Sequence, residues 1–302
     1  MKVALTGATG FIGSHVLAEL EEHGHEVTAL VRDRDQVDRV AASRATPAVV
    51  DLYDRPNVVS LLRGADGAIH TASPGDETSA NMETAVLDAA LEAFAGTGKP
   101  YIAISGTWIY GDNTAIREES PLNPPAMVAW KPPIERRIVD APDMRGVVVV
   151  SGTAYGDGGG ALPGALLASP RDDDGNLIMI GTGRQHWSTV HVADLADFFR
   201  RVIEEDTARG HYVIGNGANS TVAELTEAAA VAAGAAGAVP GSDDEARARL
   251  GDYFAEVLLL DQGTVAAKAR DELDWFPTHP GLVEEFRHGS YTKQLTGRSI
   301  ND

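Results

Sequence analysis

Short, nearly uninterrupted apolar runs alternate with helical periodicities along the first half of the chain. Residues 2–5 read as a strand, and residues 13–22 carry Val16, Leu17 and Leu20 at helical spacing. Residues 26–31, 47–50, 67–70, 101–105 and 146–150 continue the series of strands, the last almost entirely valine. Helices are predicted at 58–62, 81–95 and 132–138. A strand apolar at every position must be covered on both faces, so the pattern predicts an α/β fold with a parallel sheet between helical layers.

Beyond about residue 156 the rhythm changes. Asp157-Gly158-Gly159-Gly160, the polar run at 169–176 and the turn at 181–183 are loop chemistry with short elements between them. Helices are predicted at 195–203 and 223–233, and a strand at 212–214. This reads as a smaller, irregular C-terminal lobe of the kind that carries substrate specificity.

Composition narrows the function classes. With 44 acidic against 25 basic residues in 302, the formal charge is −19, and no Lys/Arg-rich run interrupts it. Such a surface repels phosphate backbones and anionic lipid, so neither nucleic acid nor a membrane surface is an expected partner. A content of 43% hydrophobic and 23% charged residues excludes a disordered chain. Cysteine is absent, which excludes disulfides, a thiolate nucleophile and a Cys zinc site. The histidines, among them His23, His25 and His186, form no metal-ligand spacing with carboxylates, so no metal is expected. The most apolar long run, 225–239, contains Thr, Glu and two Gly and falls short of a membrane span, and no signal peptide is recognisable. The expectation is a cytoplasmic protein with a small-molecule substrate.

The strand at 2–5 runs directly into Thr6-Gly7-Ala8-Thr9-Gly10-Phe11-Ile12-Gly13, with a helix behind it. A dinucleotide pyrophosphate needs this arrangement: Gly7 for the tight turn, Gly10 for backbone approach to phosphate, and Gly13 for close helix-to-strand packing. The helix N-terminus adds free N–H groups and a positive dipole end. About twenty residues on, an NAD site has an acid that accepts hydrogen bonds from the adenosine ribose. Here the second strand ends Val31-Arg32-Asp33-Arg34. Arg32 and Arg34 favour a 2′-phosphate by charge and by forked donor geometry, so NADP is expected ahead of NAD. The alternatives are that both arginines pair with Asp33 or Asp35 on the surface, or that Asp33 takes the NAD role. Asp51 and Leu52, closing the third strand, are expected to flank the adenine.

The chain resembles the short-chain dehydrogenase/reductase superfamily in its extended or atypical branch, often called the NAD-dependent epimerase/dehydratase family. The resemblance rests on residues 6–13, His70-Thr71-Ala72-Ser73, and Ser105-Gly106-Thr107-Trp108-Ile109-Tyr110-Gly111. It continues through Ser151-Gly152-Thr153-Ala154-Tyr155-Gly156, the segment 187–196, and Leu273-Asp274-Trp275-Phe276-Pro277. It implies a Rossmann-type doubly wound parallel sheet with a smaller C-terminal substrate lobe. Residues 1–160 and 185–215 are assigned to the dinucleotide-binding domain, and 161–184 and 216–302 to the substrate lobe. It further implies that Thr9, Phe11, Ile12, Thr71, Ala72, Ser73, Ser151 and Gly152 lie beside the cofactor, and that the protein forms a homodimer through its long helices, as members often do.

The catalytic set departs from that family. Members use a Tyr general acid/base, a Lys four residues later that lowers the phenol's pKa and holds the nicotinamide ribose, and a Ser or Thr on the reacting oxygen. Lys131 suits the lysine position, but Met127 stands where the Tyr belongs. Gly106 stands four residues before Tyr110, where the hydroxyl belongs, flanked by Ser105 and Thr107. In one reading Ser105 or Thr107 and Lys131 form a non-standard set, with Tyr110, Tyr155 or water supplying the proton. The protein is then an NADP-dependent oxidoreductase acting on a carbonyl or alcohol. A nucleotide-sugar epimerase or dehydratase is the second enzyme reading, and a non-catalytic NADP-binding regulator is the third. Trp108, Trp130, Tyr155 and Trp187 are candidates either for a pocket wall or for the core, and His191 for the pocket edge or a structural histidine.

Overall fold

Val147 and Val149 enter one hydrophobic core while Val148 and Val150 enter another. Only a central strand with helices on both sides offers that, and each fully buried valine contributes about 1.5–3 kcal/mol relative to exposure. The computed structural model describes residues 1–292; residues 293–302, the end of the segment assigned to the substrate lobe, lie outside the described residues.

In chain order the elements are β1 (Lys2–Thr6), α1 (Phe11–Glu22), β2 (Glu26–Val31), α2 (Arg34–Val40), β3 (Thr46–Val49), α3 (Arg55–Arg63) and β4 (Gly67–His70). Then come α4 (Ser79–Phe94), β5 (Pro100–Gly106), β6 (Asn113–Ile116), α5 (Lys131–Val139), β7 (Arg145–Ser151) and β8 (Thr153–Tyr155). They are followed by α6 (Ala161–Leu167), β9 (Leu177–Ile178), β10 (Thr189–His191), α7 (Val192–Glu204), β11 (Gly210–Ile214) and α8 (Val222–Ala232). The C-terminal part holds β12 (Ala238–Val239), α9 (Asp243–Leu250), α10 (Asp252–Leu258), β13 (Gln262–Thr264), α11 (Ala267–Leu273) and α12 (Leu282–His288).

Seven strands form one parallel sheet in the order β3-β2-β1-β4-β5-β7-β11. The chain starts in the middle, winds outward to β3, returns to β4 beside β1, and winds outward again to β11. The direction reverses between β1 and β4, where Thr6 pairs with His70 at the carboxyl ends of the two strands. Open α/β sheets bind ligands in the crevice at that reversal. One face is covered by α1 and α7 with Val16, Leu17, Leu20, Phe198, Phe199 and, from the C-terminal part, Trp275. The other is covered by α3, α4 and α5 with Val58, Leu62, Leu87, Phe94, Ile134 and Ile138. A third core, around Tyr155, Leu162, Trp187, Leu225 and Phe286, lies in the second half of the chain.

The boundaries differ from expectation for local reasons. Helix α1 begins at Phe11, because Gly10 is its N-cap and the side chains of residues 11 and 12 are not fully buried, so periodicity cannot register them. Helix α5 includes Lys131, with Pro132 and Pro133 in its first turn, where a missing N–H costs nothing. Helix α2 escapes a periodicity search because only Val40 is buried; Asp33 caps it, accepting from Gln36 N at 2.9 Å. Among the described residues no helix is long and apolar enough to cross a membrane, and no group of three or more His, Asp or Glu could hold a metal.

Candidate functional site

The glycine turn at the sheet reversal is built without spare room. Gly7 has φ +76°, and a Cβ there would stand 2.6 Å from Ala72 N and 2.7 Å from the Thr71 carbonyl carbon. A Cβ on Gly13 would stand 2.0 Å from Gly7 O. Gly10 is different, since its Cβ would meet only Gly7 O, at 3.3 Å, so the fold alone does not demand glycine there. The N–H groups of Phe11, Ile12 and Gly13 precede the first intrahelical bond, from Ser14 N to Gly10 O at 2.9 Å. No acidic side chain lies in this first turn and no side chain caps it. The positive helix end is therefore left for an anion.

Two hollows meet over this turn and share Gly10, Thr71 and Ser73. The first, about 500 Å³, is lined by Gly7, Thr9, Val31, Arg32, Gln36, Asp51, Leu52, Tyr53, Ala72 and Met82, among others. The second, about 440 Å³, is lined by Phe11, Ile12, Gly13, Gly106, Thr107, Trp108, Ser151, Gly152, Thr153, Ala154 and Leu162, among others. Together they make a groove running from the end of β2, past the helix N-terminus, to the ends of β5 and β7. Most of the residues expected beside a dinucleotide thus lie along one surface.

Several expected residues lie elsewhere, each for a visible reason. Arg34 is exposed on the first turn of α2 and does not line the groove. Arg32 does line it, but its Nε donates to Asp33 Oδ2 at 3.0 Å. The Asp33 carboxyl is held below its usual range, first by the Gln36 N–H and also by Arg32. Ser105 points away from the groove, its hydroxyl donating to the buried Glu135 at 2.5 Å, and His211 Nε2 meets the other oxygen of Glu135 at 3.2 Å. Lys131 is not a lining residue; its Nζ meets Glu83 Oε1 at 2.7 Å and lies 4.7 Å from the centre of the Trp130 ring. Burial pushes the Glu83 carboxyl up, with Lys131 pulling against it.

The aromatic wall expected from sequence reduces to Trp108, whose ring edge meets Phe254. Trp130 packs against the second core and donates its indole N–H to Met127 O at 3.0 Å. Tyr155 is fully buried, its hydroxyl donating to Pro280 O at 2.7 Å, and Trp187 is likewise core. His191 caps α7 and stacks on His279 with centroids 4.2 Å apart, beside Asp157 and Glu285 rather than in the groove. Tyr110 is buried beside the sheet, and burial pushes its phenol well above the usual range. No Tyr lines the second hollow among the described residues.

Sequence reading missed three polar partners. Gln262, on β13, accepts the Thr107 hydroxyl at 3.0 Å and donates to the carbonyls of Thr107 (2.8 Å) and Gly111 (2.7 Å). Nothing local in sequence signals a partner 155 residues away. Glu83 and Glu135 did carry a signal: Glu83 precedes Leu87 by four residues and Glu135 precedes Ile138 by three, placing each carboxylate on an apolar helix face.

The sequence model of the NAD-dependent epimerase/dehydratase family matches residues 3–215, the span from β1 through β11. The chain belongs to this family. A fission-yeast protein of uncharacterized function (Schizosaccharomyces pombe) is 28% identical over 309 residues, covering 96% of this chain and 100% of its own. Among solved structures, the human epimerase family protein SDR39U1, determined with NADPH, superposes with a TM-score of 0.73 at 21% identity, covering 96% of this chain and 99% of that one. A dTDP-glucose 4,6-dehydratase from Bacillus anthracis, determined with NAD, reaches 0.76 at 14% identity, covering 98% and 97%. Both are likenesses of fold. The family's NAD(P)-binding frame and its glycine turn are thus present, together with Met127 and Gly106 at the two positions discussed above.

Proposed function

We propose that this family member is an NADP(H)-dependent oxidoreductase that exchanges hydride with a carbonyl or alcohol group of a small molecule. The observation that carries this reading is the single groove from Arg32 to Trp108 across the free N-terminus of α1. The donor set suits a dinucleotide phosphate. Gly7 and Gly13 leave no room for a side chain under the turn, the first N–H groups of α1 suit the pyrophosphate, and Arg32 stands where an adenosine 2′-phosphate would lie. Val31 offers the ribose hydroxyls no acid, and Asp33 is already committed to capping α2. Bound there, the cofactor supplies the carbon that gives or takes hydride. The protein's part is to orient it, with Thr107, Ser151 and Thr153 presenting hydroxyls and Phe11, Trp108 and Leu162 excluding water at the far end.

Two observations weigh against a nucleotide-sugar reaction. No Tyr base stands at position 127, and among the described residues no Lys or Arg lines the second hollow to receive another pyrophosphate. The regulator reading draws on Lys131, whose ammonium is tied to Glu83 rather than free for a ribose. NADPH consumption with a panel of ketones and aldehydes, measured beside NADPH binding alone, separates the two; binding with no turnover on any panel member favours the regulator.

The NADP assignment has its own test. In Arg32→Ala, loss of one charge-assisted phosphate contact is expected to weaken NADPH by about 1.5–3 kcal/mol, roughly one to two decades in Kd, while NADH changes little. Raising salt is expected to erode the parent's preference for NADPH. Fluorescence titration of both cofactors into parent and variant measures this. Equal weakening of both, or equal parent affinities, would mean Arg32 is a surface residue paired with Asp33.

A further inference from the structure

The second hollow has no charged side chain among its described lining residues, although the chain as a whole carries −19. Its far wall is Phe11, Trp108, Ala154, Ala161 and Leu162. Away from the N-terminus of α1, which the cofactor's pyrophosphate would take, a charged ligand would gain no side-chain partner there, and an anion would also be repelled by the protein's field. The hollow's described lining includes the hydroxyls of Thr71, Ser73, Thr107, Ser151 and Thr153, and that of Thr107 is held by a buried side chain and is not free to choose a direction. It donates to Gln262 Oε1 at 3.0 Å. The Gln262 amide cannot be turned over, because its Nε2 donates to two backbone carbonyls, Thr107 O and Gly111 O. A flipped amide would set its oxygen against both. Gln262 is 4% exposed and does not line the hollow, so water does not replace the bond that its Oε1 accepts.

A threonine hydroxyl has one proton and two lone pairs. With its proton committed to Gln262, the Thr107 hydroxyl can meet a ligand only as an acceptor. We propose that the site recognises its substrate as an uncharged, largely apolar alcohol whose O–H donates to Thr107 Oγ1, with Gln262 as the positioning residue that fixes this polarity. The inference rests on the oxidoreductase reading above and adds substrate class and preferred form to it. A ketone gains a hydrogen bond from Thr107 only if the bond to Gln262 breaks, leaving Oε1 buried without a donor.

The test uses the full chain loaded with 1,4,5,6-tetrahydro-NADP, which gives up no hydride. Calorimetric titrations compare 1-phenylethanol with acetophenone, cyclohexanol with cyclohexanone, and benzoate as the charged probe. Each alcohol is expected to bind about three- to tenfold more tightly than its ketone, the worth of one net hydrogen bond. That affinity should not change with salt, and benzoate should bind at least tenfold more weakly. Thr107→Val and Gln262→Met are each expected to abolish the preference, and Thr107→Ser to keep it, which a merely structural bond would not distinguish; thermal melts identify any variant that fails to fold. The proposal is overturned if ketones bind as tightly as alcohols in the parent, if the preference survives both Thr107→Val and Gln262→Met, if benzoate matches the alcohols, or if no alcohol binds at 10 mM, on the order of the weakest Kd such contacts give. Failure of the parent to take up the cofactor analogue would instead sink the oxidoreductase reading, before any alcohol is added.

Discussion

Alanine at Gly13 is expected to cost the protein both stability and cofactor. The new Cβ would stand 2.0 Å from Gly7 O, 2.6 Å from Gly7 C and 2.8 Å from Thr71 Oγ1. The two shortest contacts are to backbone, so no flexible chain end can give way, and α1 must move off β1. Overpacking usually costs 1–3 kcal/mol, and a clash of backbone against Cβ belongs at or above the top of that range, about 3 kcal/mol or more. The same movement carries the N–H groups of Phe11 and Ile12 away from the pyrophosphate position, so affinity for the dinucleotide should fall by roughly a hundredfold or more. Gly10→Ala is the informative partner. Its Cβ has only a 3.3 Å contact, so stability should change by about 1 kcal/mol or less while binding is lost, because that glycine serves the ligand's approach. Urea denaturation beside cofactor titration reads both quantities, and parent-like binding in Gly13→Ala would remove the packing argument.

Acid should unfold the protein through a histidine. His70 ends β4 one residue before the groove-lining Thr71, fully buried, with Nδ1 2.7 Å from the Thr6 hydroxyl and Nε2 without a hydrogen-bond partner among the described residues. Burial, helped by the charge of Lys131, pulls its pKa down from 6.5 to about 3. The folded pKa is the lower one, so between these values the unfolded chain binds a proton that the folded chain refuses. Stability is therefore intact above about pH 6.5 and falls as pH drops toward 3. At 1.36 kcal/mol per unit, the loss reaches roughly 3 kcal/mol by about pH 4 and about 5 kcal/mol below pH 3. His70→Asn keeps a hydrogen-bonding group for Thr6 and does not titrate. Unfolding free energies from urea titrations between pH 7 and 4 should fall more in the parent, by roughly 3 kcal/mol; parallel slopes would show that His70 is not responsible.

What the sequence disclosed is what physics keeps local. The glycine turn is legible because its whole requirement, a tight bend and two close approaches, is met within residues 6–13. The sheet is legible because four consecutive valines leave no face for water. Tyr155 misled because an aromatic residue before Gly156 reads the same whether its hydroxyl meets a substrate or Pro280 O, a partner 125 residues away. Ser105 and Lys131 have the residue types the chemistry wants, yet Glu135 and Glu83 hold them, and only the packing of α4 and α5 against the sheet brings those carboxylates near. Helices α2 and α9 went unseen because caps and charges define them more than a buried stripe does, as with the reciprocal Ser242 and Glu245 bonds at the start of α9.

Trp275 has a consequence for how this protein is made. Its indole lies fully buried among Phe198 and the helices behind the sheet, with Nε1 donating to Asp194 O at 3.1 Å. The seven strands are all synthesised by residue 214, but the core on one face has a tryptophan-sized gap until the ribosome has added sixty or so more residues. A nascent chain ending after β11 has every strand of the sheet but lacks the residues that fill this interior, and Thr107 still awaits Gln262. A duplication or fusion that borrowed residues 3–215 alone would inherit the family's signature without Trp275 to close that core.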